Sequence, residues 1–161
     1  MREDINIRAS RFLLARTVRP CRHCRAATPL FALVVPPGHL ALELDGTAAD
    51  DASAVDTWRV AADTAFVFHV EYLCDGVRHR LRQFTHSYRP TESLGFVSWA
   101  NHCAACARAF NDEELYCEPG DAFLPTSESS ARLIHLLPID QAFEAAAAGY
   151  AQEPQFFECM S

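Results

Sequence analysis

The sequence contains no lysine, and its fourteen Lys and Arg residues are all arginine. Glycine is scarce too, with six residues in 161. A phosphate-binding loop needs closely spaced glycines so that the backbone can approach the nucleotide, and no such loop is present. The His-Glu-x-x-His and Gly-x-Ser-x-Gly motifs of zinc peptidases and serine hydrolases are also missing. The sequence therefore gives no indication of a nucleotide-binding protein, a zinc peptidase or a serine hydrolase.

Long apolar runs are absent as well. No uninterrupted apolar stretch approaches the roughly 20 residues that cross a bilayer, and the first ten residues are charged rather than signal-like. We therefore expect a soluble, cytoplasmic protein that does not contact a membrane. Half of the 161 residues are apolar, which suits one domain spanning residues 1–161.

Cysteine is the informative residue type. Two of the intervals between the seven cysteines are Cys-x-x-Cys, and Cys21/Cys24 is separated from Cys103/Cys106 by the 78 residues 25–102. A two-residue spacing aims both sulfurs at one ion, and two pairs complete a tetrahedron with Zn–S distances of about 2.3 Å. An odd number of cysteines with this spacing favours metal ligation over disulfides. We predict that Cys21, Cys24, Cys103 and Cys106 hold a structural Zn²⁺, and we assign no catalytic residue.

The residues around each pair predict hairpins. Strand-forming residues precede and follow the first pair, which indicates a hairpin over about residues 11–36 with the ligands at its tip. A second such hairpin is predicted over about residues 94–118. The segment 44–56, rich in Ala and Asp, is predicted to be a loop between the two halves of the site.

One amphipathic helix is predicted over about residues 63–84. Six apolar residues recur there at steps of three and four: Phe66, Val70, Leu73, Val77, Leu81 and Phe84. Asp75-Gly76 would interrupt that helix, so a helix-turn-helix break or a strand hairpin stays open. In the C-terminal segment 126–161, residues 131–137 favour a strand or a short helix, and the Ala-rich residues 141–151 favour a helix. The predicted class is α+β, with two zinc-holding hairpins, a covering helix and a partly irregular C-terminal region.

The two cysteine pairs and their flanks resemble zinc-ribbon and zinc-knuckle proteins, including small bacterial proteins without an established activity. The resemblance covers residues 14–35 and 96–117 and implies two ligand-bearing hairpins that meet at one zinc. Ribbon knuckles often carry Gly after the second Cys, where the backbone turns left-handed, but this sequence has Arg25 and Ala107. Such domains contact nucleic acids, dock proteins or stiffen assemblies.

A non-enzymatic binding role follows as the leading hypothesis. The net charge of −7 favours a protein partner over indiscriminate binding to nucleic acid. Arginine is nevertheless concentrated at the start of the chain, where residues 1–25 hold seven Arg, and again after residue 77. Nucleic acid therefore stays the alternative partner, through Arg19, Arg22, Arg25, Arg78, Arg80 and Arg82.

Two enzymatic hypotheses stay open beside the binding hypothesis. His69-Val70-Glu71 followed by Cys103 and Cys106 resembles the zinc deaminase pattern, in which His and two Cys hold zinc and Glu moves protons. The departures are His102 in the position of a Pro and a first pair without a role. A Cys-x-x-Cys redox site is the other hypothesis. The remaining cysteines are expected in the core (Cys74), near the metal (Cys117) and free (Cys159), and His23 and His102 are expected beside the metal ligands or in solvent.

Overall fold

Strands are the predominant secondary structure of this protein. The computed structural model describes residues 4–43 and 57–161, so the predicted loop 44–56 lies outside the described residues. The strands are β1 (Ile7–Ala9), β2 (Phe12–Pro20), β3 (Ala27–Val35), β4 (Leu40–Glu43), β5 (Thr57–Val60), β6 (Ala65–Leu73), β7 (Tyr88–Ser93), β8 (Phe96–Asn101), β9 (His135–Ile139) and β10 (Phe143–Gln152). The helices are α1 (Asp75–Phe84), α2 (Glu113–Tyr116) and α3 (Glu128–Ala131), and a 3₁₀ turn follows at Phe157–Cys159.

Eight strands form one antiparallel sheet in the order β5-β4-β1-β10-β6-β3-β2-β9. Strands β7 and β8 pair only with each other, as a separate two-stranded sheet. Pro138 lies in β9, at an edge of the large sheet, where a residue without a backbone N–H is tolerated. Within residues 4–43 and 57–161, no helix has the length and apolar character needed to cross a bilayer.

Both faces of the large sheet are covered near β3. On one face, Phe31, Leu33 and Val35 pack in an apolar cluster with Val77 and Leu81 of α1, which we call the helix-side cluster. On the other face, Leu30, Ala32 and Val34 pack in a cluster with Cys21 and Cys103, which we call the knuckle-side cluster. A strand buried on both faces is a continuous apolar run, which explains the unbroken sequence Leu30–Val35.

The predicted helix over residues 63–84 is wrong in its first half. Residues 65–73 form β6, and the helix begins at Asp75, so that Asp75-Gly76 is its first turn rather than its interruption. Within β6, the apolar steps of four (Phe66 to Val70) and three (Val70 to Leu73) arise from an irregular strand. His69 has a φ of 48°, and the pairing of β6 with β10 shifts between Ala146 and Ala147. A bulge of this kind resets the side-chain alternation and imitates a helical period.

The helix predicted for residues 141–151 is also wrong, because β10 occupies residues 143–152. Alanine favours helices in isolation, but β10 lies between β1 and β6, and pairing on both edges overrides that preference. Small side chains suit this place. A Cβ at Gly149 would overlap the ring of Phe68 on the neighbouring strand.

The first predicted hairpin corresponds to β2 and β3, which pair from Leu13 and Val34 to Pro20 and Ala27. The second hairpin differs from the prediction. Its strands β7 and β8 precede the cysteines, and the chain that follows forms one bridge, from Ala109 back to His102, and then the short helix α2 in place of the predicted strand. The architecture is mostly β with one ten-residue helix, so neither the α+β class nor a zinc-ribbon hairpin pair is confirmed.

Candidate metal centre

The first knuckle, residues 21–26, joins β2 to β3. The Cys21 N–H donates to the carbonyl of Ala26 at 2.9 Å, and the Arg25 N–H donates to the carbonyl of Cys21 at 2.9 Å. Arg25 has a φ of 66°, in the left-handed region. These two bonds close a tight turn that places both thiols on the same side.

The second knuckle, residues 103–108, repeats that turn. The Cys103 N–H donates to the carbonyl of Arg108 at 2.8 Å, and the Ala107 N–H donates to the carbonyl of Cys103 at 2.9 Å. Ala107 has a φ of 63°. A side chain in the left-handed region costs about 1–2 kcal/mol, so both knuckles adopt the backbone that Gly usually supplies, without Gly.

The two knuckles bring the four predicted sulfurs together. All four Sγ atoms lie within 4.8 Å of one another. Between opposite knuckles, the sulfurs of Cys21 and Cys106 are 3.7 Å apart, and those of Cys24 and Cys103 are 3.5 Å apart. A tetrahedron with Zn–S bonds of about 2.3 Å has its sulfurs about 3.8 Å apart. The donor set and its spacing therefore fit a four-coordinate metal ion.

The thiols differ in their environments. Cys21 and Cys103 are buried, whereas Cys24 and Cys106 are exposed. The hydroxyl of Thr28 and the backbone N–H of Cys106 lower the pKa of Cys103 to about 6, although burial acts in the opposite direction. Backbone N–H groups of Cys24 and His23 lower the pKa of Cys21.

Cys24 shows the opposite shift. The backbone N–H of Ala26 lowers its pKa, but the neighbouring Cys103 sulfur, burial and the other thiols outweigh that effect and raise the pKa to about 11. Crowded thiols without a cation cannot all ionise, whereas a divalent metal ion stabilises each thiolate. Cys21, Cys24, Cys103 and Cys106 can thus hold a metal ion together.

Side chains around the sulfurs link the knuckles. The Thr28 hydroxyl lies 3.5 Å from the Cys103 sulfur and 3.0 Å from the Ala26 carbonyl oxygen. Across the rim, Arg108 Nη1 donates to His23 Nε2 at 2.9 Å. His102 is buried, and its Nδ1 lies 3.0 Å from the Ala100 carbonyl oxygen. Both histidines thus lie near the four cysteines, and neither is a member of the metal-ligand group.

Two residues missed by the sequence analysis attach the second knuckle to the large sheet. The buried Asn101 accepts the Phe31 N–H at 2.8 Å and donates to the Phe31 carbonyl at 2.9 Å. Asp112 Oδ2 accepts the His69 N–H at 2.7 Å. Burial raises the pKa of Asp112, although the His69 N–H and the His69 side chain lower it. No sequence pattern marked either residue, because each acts on backbone that is distant in sequence.

The structure does not bring the deaminase residues together. Among the described residues, the four cysteines are the one group of His, Cys, Asp or Glu with metal-ligand geometry, and His69 is outside it. His69 Nδ1 lies 3.8 Å from Asp112 Oδ2 instead, at a cavity of about 350 Å³. Glu71 is exposed on β6.

The remaining cysteines are separate from the cluster. Cys74 packs against the helix-side cluster, with its sulfur 3.8 Å from the carbonyl oxygen of Ala142. Cys117 is exposed, and Cys159 packs against the knuckle-side cluster. The expected core position of Cys74 therefore corresponds to a partly buried one, and Cys117 is not a member of the metal-ligand group.

Comparison with known proteins gives no relative. No protein-family model, no curated protein and no solved structure is significantly similar to this chain. The class of the molecule therefore rests on its own features, which are a mostly β fold and four cysteines that could hold a metal ion.

Proposed function

We propose that this protein is a non-enzymatic zinc protein in which a structural site of four cysteines supports a binding surface for a protein partner. The convergence of the four sulfurs within 4.8 Å carries the proposal. Four thiolates fill a tetrahedral zinc site and leave no position for a substrate or a reactive water, as in structural zinc sites. Iron also accepts four thiolates, so the choice of zinc is part of the proposal.

The metal would connect two parts of the fold. Cys24 and Cys103 are 79 positions apart, yet their sulfurs are 3.5 Å apart. The entropy cost of closing a loop grows only slowly with its length, whereas zinc ligation contributes on the order of 10 kcal/mol in small zinc peptides. A zinc ion would therefore fix the base of β8 to the end of the β2–β3 hairpin.

The surface that the metal would support is the tip of the β7–β8 hairpin. Leu94 is 95% exposed, Phe96 76% and Val97 52%, although all three are large apolar residues. Contiguous exposed apolar side chains, one of them aromatic, are typical of protein docking sites. Because β8 leads directly into the second knuckle, an ordered metal site would hold this tip in a fixed orientation.

Cobalt(II) titration tests the metal site. Cobalt in a tetrahedral site of thiolates absorbs strongly in the visible range. We expect one equivalent of cobalt to bind and zinc to displace it. We expect Cys103→Ser to abolish the spectrum. Cys117→Ser is the matched control, because this cysteine is exposed and outside the cluster, and it should leave the spectrum unchanged. A spectrum of octahedral cobalt, or equal loss in both variants, would contradict the proposed site.

A photo-crosslinking amino acid in place of Phe96 tests the docking surface. We expect a crosslinked protein that disappears when Leu94→Ser is added and when the metal is chelated. The control places the same crosslinker at Leu133, which is 63% exposed in a different part of the fold. Crosslinks between two copies of this chain would identify a homodimer interface, and identical products at both positions would contradict a docking site at the tip.

A further inference from the structure

A groove runs between the C-terminal end of α1, the start of β7 and the second knuckle. It consists of two adjoining cavities of about 360 and 330 Å³, which share Thr85 and His86 in their walls. Its basic residues are Arg16, Arg78, Arg82, His86 and Arg89, and we call it the Arg groove. Phe84 is its exposed aromatic residue, and Phe31, Tyr88 and Trp99 are its buried ones.

The Arg groove has no carboxylate among its lining residues, although the whole chain carries a net charge of −7. In the part of the chain that the structure describes, Arg16, Arg82 and Arg89 have no ion-pair partner within 4.0 Å. Arg78 pairs with Asp75 beside the groove. A cationic, acid-free groove on an acidic protein attracts an anionic ligand.

The other arginines of the sequence hypothesis lie in a different setting. Arg22 pairs with Glu114 at 3.9 Å, and Arg19 donates to the Gly120 carbonyl at 3.3 Å. Both line a separate cavity together with Asp121. Arg80 bonds Gln83 on its own helix. Among the described residues, the Arg82 side chain has no hydrogen-bond or ion-pair partner, and Arg89 donates to the carbonyl oxygen of His86 at 3.2 Å, inside the groove itself.

The residues described along the groove include one exposed aromatic ring. Phe84, the last residue of α1, is 41% exposed and lines one cavity with Arg16, and Arg82, which lines the adjoining cavity, is exposed as well. Trp99 and Tyr88 form a buried wall. Guanidinium groups that follow a phosphate backbone, interleaved with an exposed ring on which a base can stack, are the elements of single-strand recognition.

We propose that the Arg groove binds single-stranded nucleic acid, with Arg82 and Arg89 on phosphates and Phe84 stacked on a base. Duplex bases are already stacked and would leave the Phe84 ring without a partner. The site uses none of the exposed residues of the β7–β8 tip, so it does not depend on the proposed docking function.

Fluorescence anisotropy of labelled 12-nucleotide single strands, titrated with the zinc-loaded full chain at several salt concentrations, tests the proposal. For single strands, a plot of the logarithm of the association constant against the logarithm of salt concentration has a slope of about −0.7 per phosphate contact. Arg82→Ala with Arg89→Ala removes two contacts and should reduce the magnitude of this slope by about 1.4. Arg132→Ala is the matched control, because Arg132 is also exposed but lies beside α3 and pairs with Glu128. It should change the slope little.

Phe84 provides the second measurement. Phe84→Ala should weaken binding by roughly 5- to 150-fold, the effect of one base stack, while the salt slope stays unchanged. Phe84→Trp should retain wild-type affinity, which separates stacking from folding. The proposal is overturned by absent binding at low salt, by equal slopes in the double variant and Arg132→Ala, or by equal affinity of Phe84→Ala and wild type for single strands. The last result would indicate a general polyanion site.

Discussion

The two knuckles have the same backbone and different supports. In both, the first Cys N–H donates to the carbonyl five residues on, and the residue after the second Cys has a left-handed φ. The first knuckle connects two nine-residue strands of the large sheet. The second follows β8, a six-residue strand of the separate two-stranded sheet. One isolated bridge, between His102 and Ala109, joins the residues on its two sides.

This difference shows what a metal contributes. A hairpin inside a large sheet is held by its ladder and by apolar burial on both faces. In the described part of the chain, the second knuckle shares no strand ladder with the large sheet. It is held by side-chain bonds, from Asn101 to Phe31 and from Asp112 to His69, and by Cys103 and Phe110 in the knuckle-side cluster. Zinc should therefore matter more for the order of the second knuckle than for that of the first.

Metal removal has the largest expected effect. We expect the backbone amides of residues 101–110 to lose protection against hydrogen exchange on chelation, while the β2–β3 ladder keeps most of it, because metal binding contributes on the order of 10 kcal/mol. Hydrogen exchange with mass spectrometry measures both regions in one sample. Equal loss in the two knuckles would show that the supports are equivalent.

Asn101→Ala should destabilise the zinc-bound protein by about 2–6 kcal/mol, because two buried backbone groups of Phe31 each lose a partner at roughly 1–3 kcal/mol. Denaturant unfolding measures this change. Asn111→Ala, an exposed amide beyond the same knuckle, is the control and should have little effect. An unchanged midpoint for Asn101→Ala would mean that the metal alone attaches the second knuckle.

Asp112→Ala should cost about 1–3 kcal/mol, since the His69 N–H loses its acceptor. Asp112→Asn keeps an acceptor and removes the buried charge. The folded pKa of Asp112 is raised, so wild type should lose stability relative to Asp112→Asn as pH rises through the unfolded pKa, and the difference should level off above the folded pKa. Urea unfolding across pH tests this direction, and a difference that grows as pH falls would contradict it.

Thr28→Val should weaken zinc binding by about 10- to 100-fold, the usual effect of removing a hydrogen bond to a metal ligand. The affected ligand is Cys103, although Thr28 belongs to the strand after the first knuckle. Competition with a chromophoric chelator measures the affinity. Thr91→Val is the control, and an equal effect of both substitutions would exclude a role for the Thr28 hydroxyl.

Glycine at the left-handed positions has the smallest expected effect. Ala107→Gly and Arg25→Gly should each stabilise the protein by up to about 1 kcal/mol, because the steric cost of the left-handed region exceeds the added entropy cost of Gly. Thermal unfolding measures the gain. Ala105→Gly, which lacks a positive φ, should not stabilise the protein, and equal effects at positions 105 and 107 would contradict the backbone assignment.

The cysteine cluster and the first hairpin could be predicted from the sequence, because both depend on short, local patterns. The sequence was misleading at β6, where a bulge produced apolar steps of three and four, and at β10, where Ala-rich residues form a central strand. The contacts of Asn101 and Asp112 could not be read from the sequence, since their partners Phe31 and His69 are 70 and 43 positions away.

Native mass spectrometry with metal analysis tests the central claim most directly. We predict one zinc ion per chain in the wild type and in Cys117→Ser, and none in the double variants Cys21→Ser with Cys24→Ser and Cys103→Ala with Cys106→Ala. A zinc ion that persists in one double variant, or a wild type that binds no metal when folded with zinc, would contradict a single site shared by the two knuckles.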